Sequence, residues 1–372
     1  MMDKLRIIIF DVQHGDSILL HYFKDNSSYI GIIDSNFSYS NTPKFIPAQK
    51  YLKKHQIKQL EFACLTHPHS DHFLGLYEIV SEFKPKKFIN FPASSTNLPD
   101  LYKKLIKSYS KSLKVSHDRL FQEKTESIFK LFKFLKDNYK PNENWLEYSG
   151  PENNIRGLFP DNDIEIKVLL PFPKFKGPFF QALNGETFEA EAEDPANSVS
   201  IALQIKYKGV IAVLGGDAPK ENWYLHKKLM GNSLGVNIYK VSHHGSKNNT
   251  DVKVIDYLFL GDKRLNEKFA LISANGKSHP HKETLEIIKN KDISPYCTNI
   301  NKICGSNVIG LKEYNLFHKI PKHTRGLIRA YDSPSTGVTK CQGDIFIEID
   351  QGGNIDVSTE TNAACPYRFP DH

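Results

Sequence analysis

The chain has 372 residues, with 49 lysines and arginines against 42 acidic residues, a net charge of +7, 40% hydrophobic and 24% charged residues. That balance excludes wholesale disorder and a membrane-embedded protein, and the length suits either one enlarged catalytic domain or two domains. The positive balance favours an anionic partner such as nucleic acid, although a solvated helix face is the simpler account of scattered lysines such as those between Tyr102 and Lys114.

The first apolar run, Ile7 to Phe10, stops at Asp11. It is too short for a spanning helix or a signal segment, so no membrane insertion and a cytoplasmic location are expected. Strands are predicted over 5–11 and 17–22 around a polar turn at His14-Gly15-Asp16, and over 29–33 ending at Asp34. A helix is predicted over 41–55. A strand over 57–65 then leads into THPHSDH, Thr66 to His72, and a helix from near Gly75 turns Leu76, Ile79 and Val80 inward. Five irregularly spaced cysteines argue against a disulfide framework, and Cys64 reads as a small buried residue.

Residues 101–139 carry a long helical pattern, with Leu105, Leu113, Leu120, Ile128, Leu131 and Phe134 among lysines. With the Pro- and Asn-rich sequence that follows, 101–154 reads as a helical insertion and a candidate docking element for a protein partner. A strand is predicted over 164–170, and 172–195, rich in Phe, Gly, Glu and Pro, reads as a loop near an active-site rim. Strands over 199–207 and 210–214 flank Lys208-Gly209 and deliver Asp217. A helix over 222–230, strands over 236–241 and 269–273, and a helix over 282–289 follow. The succession indicates a layered α/β architecture. The expected division is a catalytic domain over 1–321 and an extension or cap over 322–372, where 344–350 reads as a strand and Gly352-Gly353 as a turn.

The chemistry gathers at predicted strand ends. His67 and His69 alternate around Pro68, so an extended segment projects both imidazoles the same way, and Asp71 and His72 add donors from the following turn. Imidazole with carboxylate suits zinc, with manganese and iron chemically compatible. One ion cannot use all four groups and more distant ligands while leaving a place for water; two ions can. Asp217 follows Gly215-Gly216 and is placed to bridge them. His243 is the preferred further ligand over His244, which would orient a ligand, contact substrate or assist the leaving group. Ser246 is read either as a donor to an anionic oxygen or as a turn residue. Lys240 and Lys247 flank this motif as candidate phosphate binders. His279, before Pro280-His281, is read either as catalytic or as a structural imidazole.

Taken together, FDVQHGDS at 10–17, IIDSN at 32–36, THPHSDHFLG at 66–75, LGGD at 214–217, HHGS at 243–246 and SHPH at 278–281 resemble the metallo-β-lactamase fold superfamily. The resemblance spans about residues 5–300 and is strongest to the branch related to the catalytic domain of the DNA-uptake protein ComEC. It implies a four-layer αββα sandwich with two divalent ions, zinc first and manganese second, at one edge. His67 and His69 would hold the first ion, Asp71, His72 and His243 the second, and Asp217 would lie between them. Asp34 would support the metal loop, and His281 would stand near the ligands or the substrate.

Two departures stand out. The branch reads DVGQGD where this chain has Gln13-His14 in place of Gly-Gln. Asn197-Ser198 occupies the region where many relatives carry a further histidine, so that Asn197 would contact the metal or its water, or cap a loop. The leading expectation is hydrolysis of a phosphodiester in DNA, RNA or a small nucleotide by a metal-activated water, with Asp71 accepting a hydrogen bond from that water. The alternatives are cleavage of an amide, lactone or phosphomonoester, with Phe172 to Phe180 lining an uncharged pocket, and an interaction module with an auxiliary metal site.

Overall fold

The computed structural model describes residues 3–38, 45–91, 119–148, 153–160, 163–184, 195–260, 267–274, 279–299, 341–361, 365 and 367. Its first sheet begins with an antiparallel meander, β1 (Lys4–Ile9), β2 (Ile18–Lys24) and β3 (Ser27–Ile33). The β2–β3 hairpin turns on Asp25 and Asn26, with φ of +48° and +61°, the two left-handed residues a type I′ turn requires. β4 (Phe62–Leu65), β5 (Lys87–Asn90) and β6 (Trp145–Glu147) then add in parallel. The helices between these strands are α1 (Pro47–Lys54), α2 (Ser70–Phe73), α3 (Leu76–Phe83) and α4 (Arg119–Asn138).

The second sheet repeats the plan. β7 (Asn153–Asn154), β8 (Ile164–Leu170), β9 (Ala202–Tyr207) and β10 (Val210–Leu214) are antiparallel, with α5 (Lys176–Asn184) and α6 (Pro195–Ser198) between β8 and β9. α7 (Lys220–Met230), β11 (Ile238–Lys240), α8 (Val252–Phe259), β12 (Phe269–Ile272), α9 (Lys282–Asn290) and β13 (Ser294–Cys297) complete it, with β10 to β13 parallel. The chain returns to the first sheet as β14 (Ile345–Ile349), antiparallel to β1, and β15 (Ile355–Thr359) at the edge.

Strand alternation sorts side chains between layers. On β2, His21 reaches Tyr51 of α1, while Tyr22 turns the other way to Tyr207 of β9, ring centroids 5.7 Å apart. On β10, Ala212 and Leu214 join the core between the sheets, and Val213 joins a second core with Trp223 of α7, Leu258 of α8 and Leu285 of α9. The order is therefore helix, sheet, sheet, helix, the expected αββα sandwich.

α4 docks through Ile128, Leu131 and Leu135, all buried, and the Ser127 hydroxyl donates to the Leu74 carbonyl at 3.1 Å. The earlier part of the predicted insertion, 101–118, lies outside the described residues, as do 300–340 and with them the expected boundary at 321/322. The predicted loop over 172–195 is corrected in part, since Lys176–Asn184 is helical. Phe179 is buried against Phe91, ring centroids 6.0 Å apart, and Phe172 is buried in the second core. Tertiary burial of these aromatics overrides the Gly- and Pro-rich local signal. Cys64 and Cys365 are free, and no helix among the described residues is long and apolar enough to cross a membrane.

Candidate metal centre

β3, β4, β10 and β11 end along one edge of the sandwich and deliver the site. Asp34 follows β3 with φ +55° and is fully buried. Its carboxylate accepts from the Thr66 backbone N–H at 2.8 Å, the Thr66 hydroxyl at 2.7 Å and His72 Nδ1 at 2.7 Å. The Thr66 hydroxyl in turn lies 3.1 Å from His67 Nδ1. Because the hydroxyl hydrogen goes to Asp34, its oxygen accepts from His67, which leaves His67 Nε2 as the unprotonated nitrogen.

The same logic holds for His243 beside Asp217, whereas His244 Nδ1 has no hydrogen-bond partner among the described residues. His243 Nδ1 donates to Asn249 Oδ1 at 3.0 Å, and His244 Nδ1 lies 3.6 Å from Asp16 Oδ1. Each ring then turns Nε2 towards one atom. Asp217 Oδ2 is 3.6 Å from His67 Nε2, 3.5 Å from His72 Nε2, 3.8 Å from His243 Nε2 and 3.9 Å from His244 Nε2. Asp71 Oδ2 is 3.6 Å from His72 Nε2 and 3.3 Å from His244 Nε2, and His69 Nδ1 is 3.0 Å from His67 Nε2.

These residues fit metal coordination. Two donors about 2.1 Å from one ion in tetrahedral geometry stand roughly 3.4 Å apart, close to these spacings. His72 Nε2, His244 Nε2 and Asp217 Oδ1 are buried without a hydrogen-bond partner among the described residues, which is costly unless a cation satisfies them. The electrostatics agree. Burial alone would raise Asp217, yet His72, His243 and His244 hold its carboxyl well below the usual range. Asp71 is likewise held low against burial, chiefly by His72 and His244. Burial would lower His72, but Asp217, Asp71 and Asp34 raise it well above an ordinary imidazole, while burial keeps His67 well below.

The HHGS turn needs backbone that sequence preference does not supply. His243 and His244 both adopt left-handed φ, +49° and +53°, at a cost of about 1–3 kcal/mol each. The turn is held by His243 N–H to the Gly216 carbonyl at 3.0 Å and Ser246 N–H to the His243 carbonyl at 2.9 Å. The expected grouping of His243 with Asp71 and His72 is corrected: His244, 1% exposed, faces both Asp71 and Asp217, whereas His243 is half-buried and reaches Asp217.

Lys240 is a second correction. It is fully buried and ion-paired with Asp16, so it is not presented to a phosphate. Lys247 lies at the surface beside Glu283 at 3.2 Å. Ser246 is buried, and its hydroxyl accepts from the Asn248 N–H at 3.3 Å, as a turn residue does. Asn197 is buried with Oδ1 unpartnered among the described residues; its carbonyl accepts from Ser200 N–H at 3.0 Å, and the Ser200 hydroxyl accepts from Asp217 N–H at 2.9 Å. His279 stacks on His243 at 5.4 Å, and His281 lies 4.8 Å from His279 at the start of α9. Burial and then His243 push His279 down to about 3.

Four residues at this edge were not singled out from sequence: His14, Asp16, Ser200 and Asn249. The first two lie inside FDVQHGDS, so the motif held their signal. Ser200 and Asn249 had none, because each meets the backbone of Asp217, 17 and 32 residues away in sequence.

Residues 32–142 match the sequence model of the Metallo-beta-lactamase superfamily, a stretch that contains Asp34, His67, His69, Asp71 and His72. The chain is 33% identical over 116 residues to ComE operon protein 3 of Bacillus subtilis (strain 168), a match covering 30% of this chain and 14% of that protein. Similar solved structures include the hydrolase AbOPH in the beta lactamase superfamily (16% identity, TM-score 0.33, 54% of this chain and 56% of that one). Another is CmlA, a diiron β-hydroxylase from Streptomyces venezuelae (12% identity, TM-score 0.39, 79% and 52%). A diphosphatase from the PhnP family is similar at 13% identity, TM-score 0.31, over 73% of this chain and 77% of that one. The chain thus spans about a seventh of the curated relative it matches and about half of the first two structures.

Proposed function

We propose that this protein is a metal-dependent hydrolase with a dinuclear centre that cleaves phosphodiester bonds in nucleic acid or a nucleotide. One observation carries the reading: four imidazole Nε2 atoms stand 3.5 to 3.9 Å from the single oxygen Asp217 Oδ2. A buried carboxylate so surrounded is suited to bridge two cations. When bound, divalent ions, zinc first and manganese second, would activate a water and stabilise charge on a phosphoryl oxygen.

The chain's own groups divide the work. His67 and His69 would hold the first ion, and Asp71, His72 and His244 the second, with Asp217 shared and His243 at the same oxygen. Asp34 fixes the His72 ring and Asp16 lies behind His244, so that each Nε2 points inward. Asp71, held ionised, accepts a hydrogen bond from the attacking water. His279 is neutral at working pH, so it positions the leaving-group oxygen by donating a hydrogen bond from its ring N–H rather than by delivering a proton from an imidazolium.

The phosphodiester reading is supported by the net charge of +7 and by the motif resemblance. It is favoured over an uncharged substrate because Phe172 and Phe179 are spent in the cores rather than lining a pocket. The test is metal-dependent cleavage of single-stranded DNA, duplex DNA, RNA and cyclic nucleotides. Turnover of at least one class, abolished by chelator, is expected; none with two ions bound would overturn the phosphodiester assignment.

A further inference from the structure

We infer that His14 is an additional protein donor to the second metal ion, entering from the solvent side of Asp71 and His244. The inference rests on the dinuclear reading and deepens it. His14 Nε2 lies 3.5 Å from Asp71 Oδ2, and donor atoms of His14, Asp71 and His244 all fall within 4.8 Å of one another. The His14 and His244 rings are 5.6 Å apart, close to the 5.7 Å between His72 and His244, which share the same carboxylates. His14 therefore has the spacing of a ligand, not of a bystander on the rim.

The loop fixes that position from the backbone. Gln13 turns through φ +63° with its N–H on Asp11 Oδ1 at 3.0 Å, and the His14 carbonyl accepts from Asn36 Nδ2 at 2.7 Å. Gly15, at φ +107°, packs so closely on Asp71 that a Cβ there would lie 2.0 Å from the Asp71 carbonyl oxygen. Asp16 N–H donates to that same oxygen at 3.3 Å. His14 is thus registered against the residue whose carboxylate it faces. Its side chain remains 60% exposed, so Nε2 points into the centre while the ring edge meets solvent. The related motif carries a neutral amide here; an imidazole is a far stronger donor for zinc, nickel or cobalt.

The test uses the full-length protein with zinc and, separately, cobalt. His14→Gln and His14→Ala should retain the first ion and lose second-ion affinity by roughly ten-fold or more, the scale seen even for loss of an outer partner. Added imidazole should restore second-ion binding to His14→Ala and shift its cobalt absorption spectrum, since the side chain is accessible. Wild-type second-ion affinity in both variants, or a loss that imidazole does not repair, would overturn the inference. Failure of the unaltered protein to take up two ions would instead sink the dinuclear reading, so the two failures are distinguishable.

Discussion

Asp34 Oδ2 lies 2.7 Å from His72 Nδ1, and the same carboxylate takes the N–H and hydroxyl of Thr66. One buried side chain therefore sets the orientation of His72 and, through Thr66, of His67. Asp34→Ala should weaken binding of both ions by about 10–100-fold without removing a ligand. Competition against a chelator reads the effect, and unchanged affinity would show that the packing alone orients these rings.

The Lys240–Asp16 pair predicts a stability pattern. Both groups are fully buried, so Lys240→Met leaves the Asp16 carboxylate without its ammonium partner and should cost about 3–5 kcal/mol. Adding Asp16→Asn should recover much of it. Urea unfolding of the metal-free protein is the measurement. A single-variant cost under about 1 kcal/mol would mean the ammonium reaches water, and would reinstate Lys240 as a phosphate binder.

Two histidines away from the centre predict acid sensitivity. His21 is pushed down to about 3 by burial, then by His55 and Arg6, and His226 to about 4 by burial. Both are neutral in the folded chain. Above pH 6.5 neither state takes the proton and nothing is lost; below it the unfolded chain protonates first, and stability falls down to the folded values. At pH 5 each contributes a loss of about 2 kcal/mol. Replacing either with Gln should flatten the fall in unfolding free energy between pH 7 and 5. Parallel curves for variant and parent would contradict the assignment.

What could be read from sequence follows from where the determining interactions lie. β8 at Ile164–Leu170 and β10 at Val210–Leu214 matched their predicted bounds because a local apolar run bounded by turn residues decides them. The lysine expected to bind phosphate was misread because its partner Asp16 is 224 residues away in sequence. The His243/His244 choice depends on two successive left-handed residues, which no propensity favours. The THPHSDH cluster was legible because six residues of chain carry its side chains, while Asp34 at the end of β3 sets their orientation.

The last prediction separates ligands from substrate-handling groups. His69, 3.0 Å from His67 Nε2, is placed among the donors, so His69→Ala should reduce metal content and turnover together. His279 touches the centre through the His243 ring at 5.4 Å, so His279→Ala should retain most metal and slow single-turnover cleavage by roughly ten-fold or more. Since burial first, and then the neighbouring His243, hold His279 near 3, it is already neutral over pH 5 to 8. The alkaline limb of the rate profile in that range, the one a proton donor would set, should therefore be unchanged in His279→Gln. A limb that disappears with the substitution would make His279 a proton donor after all, and loss of both ions would place it among the ligands.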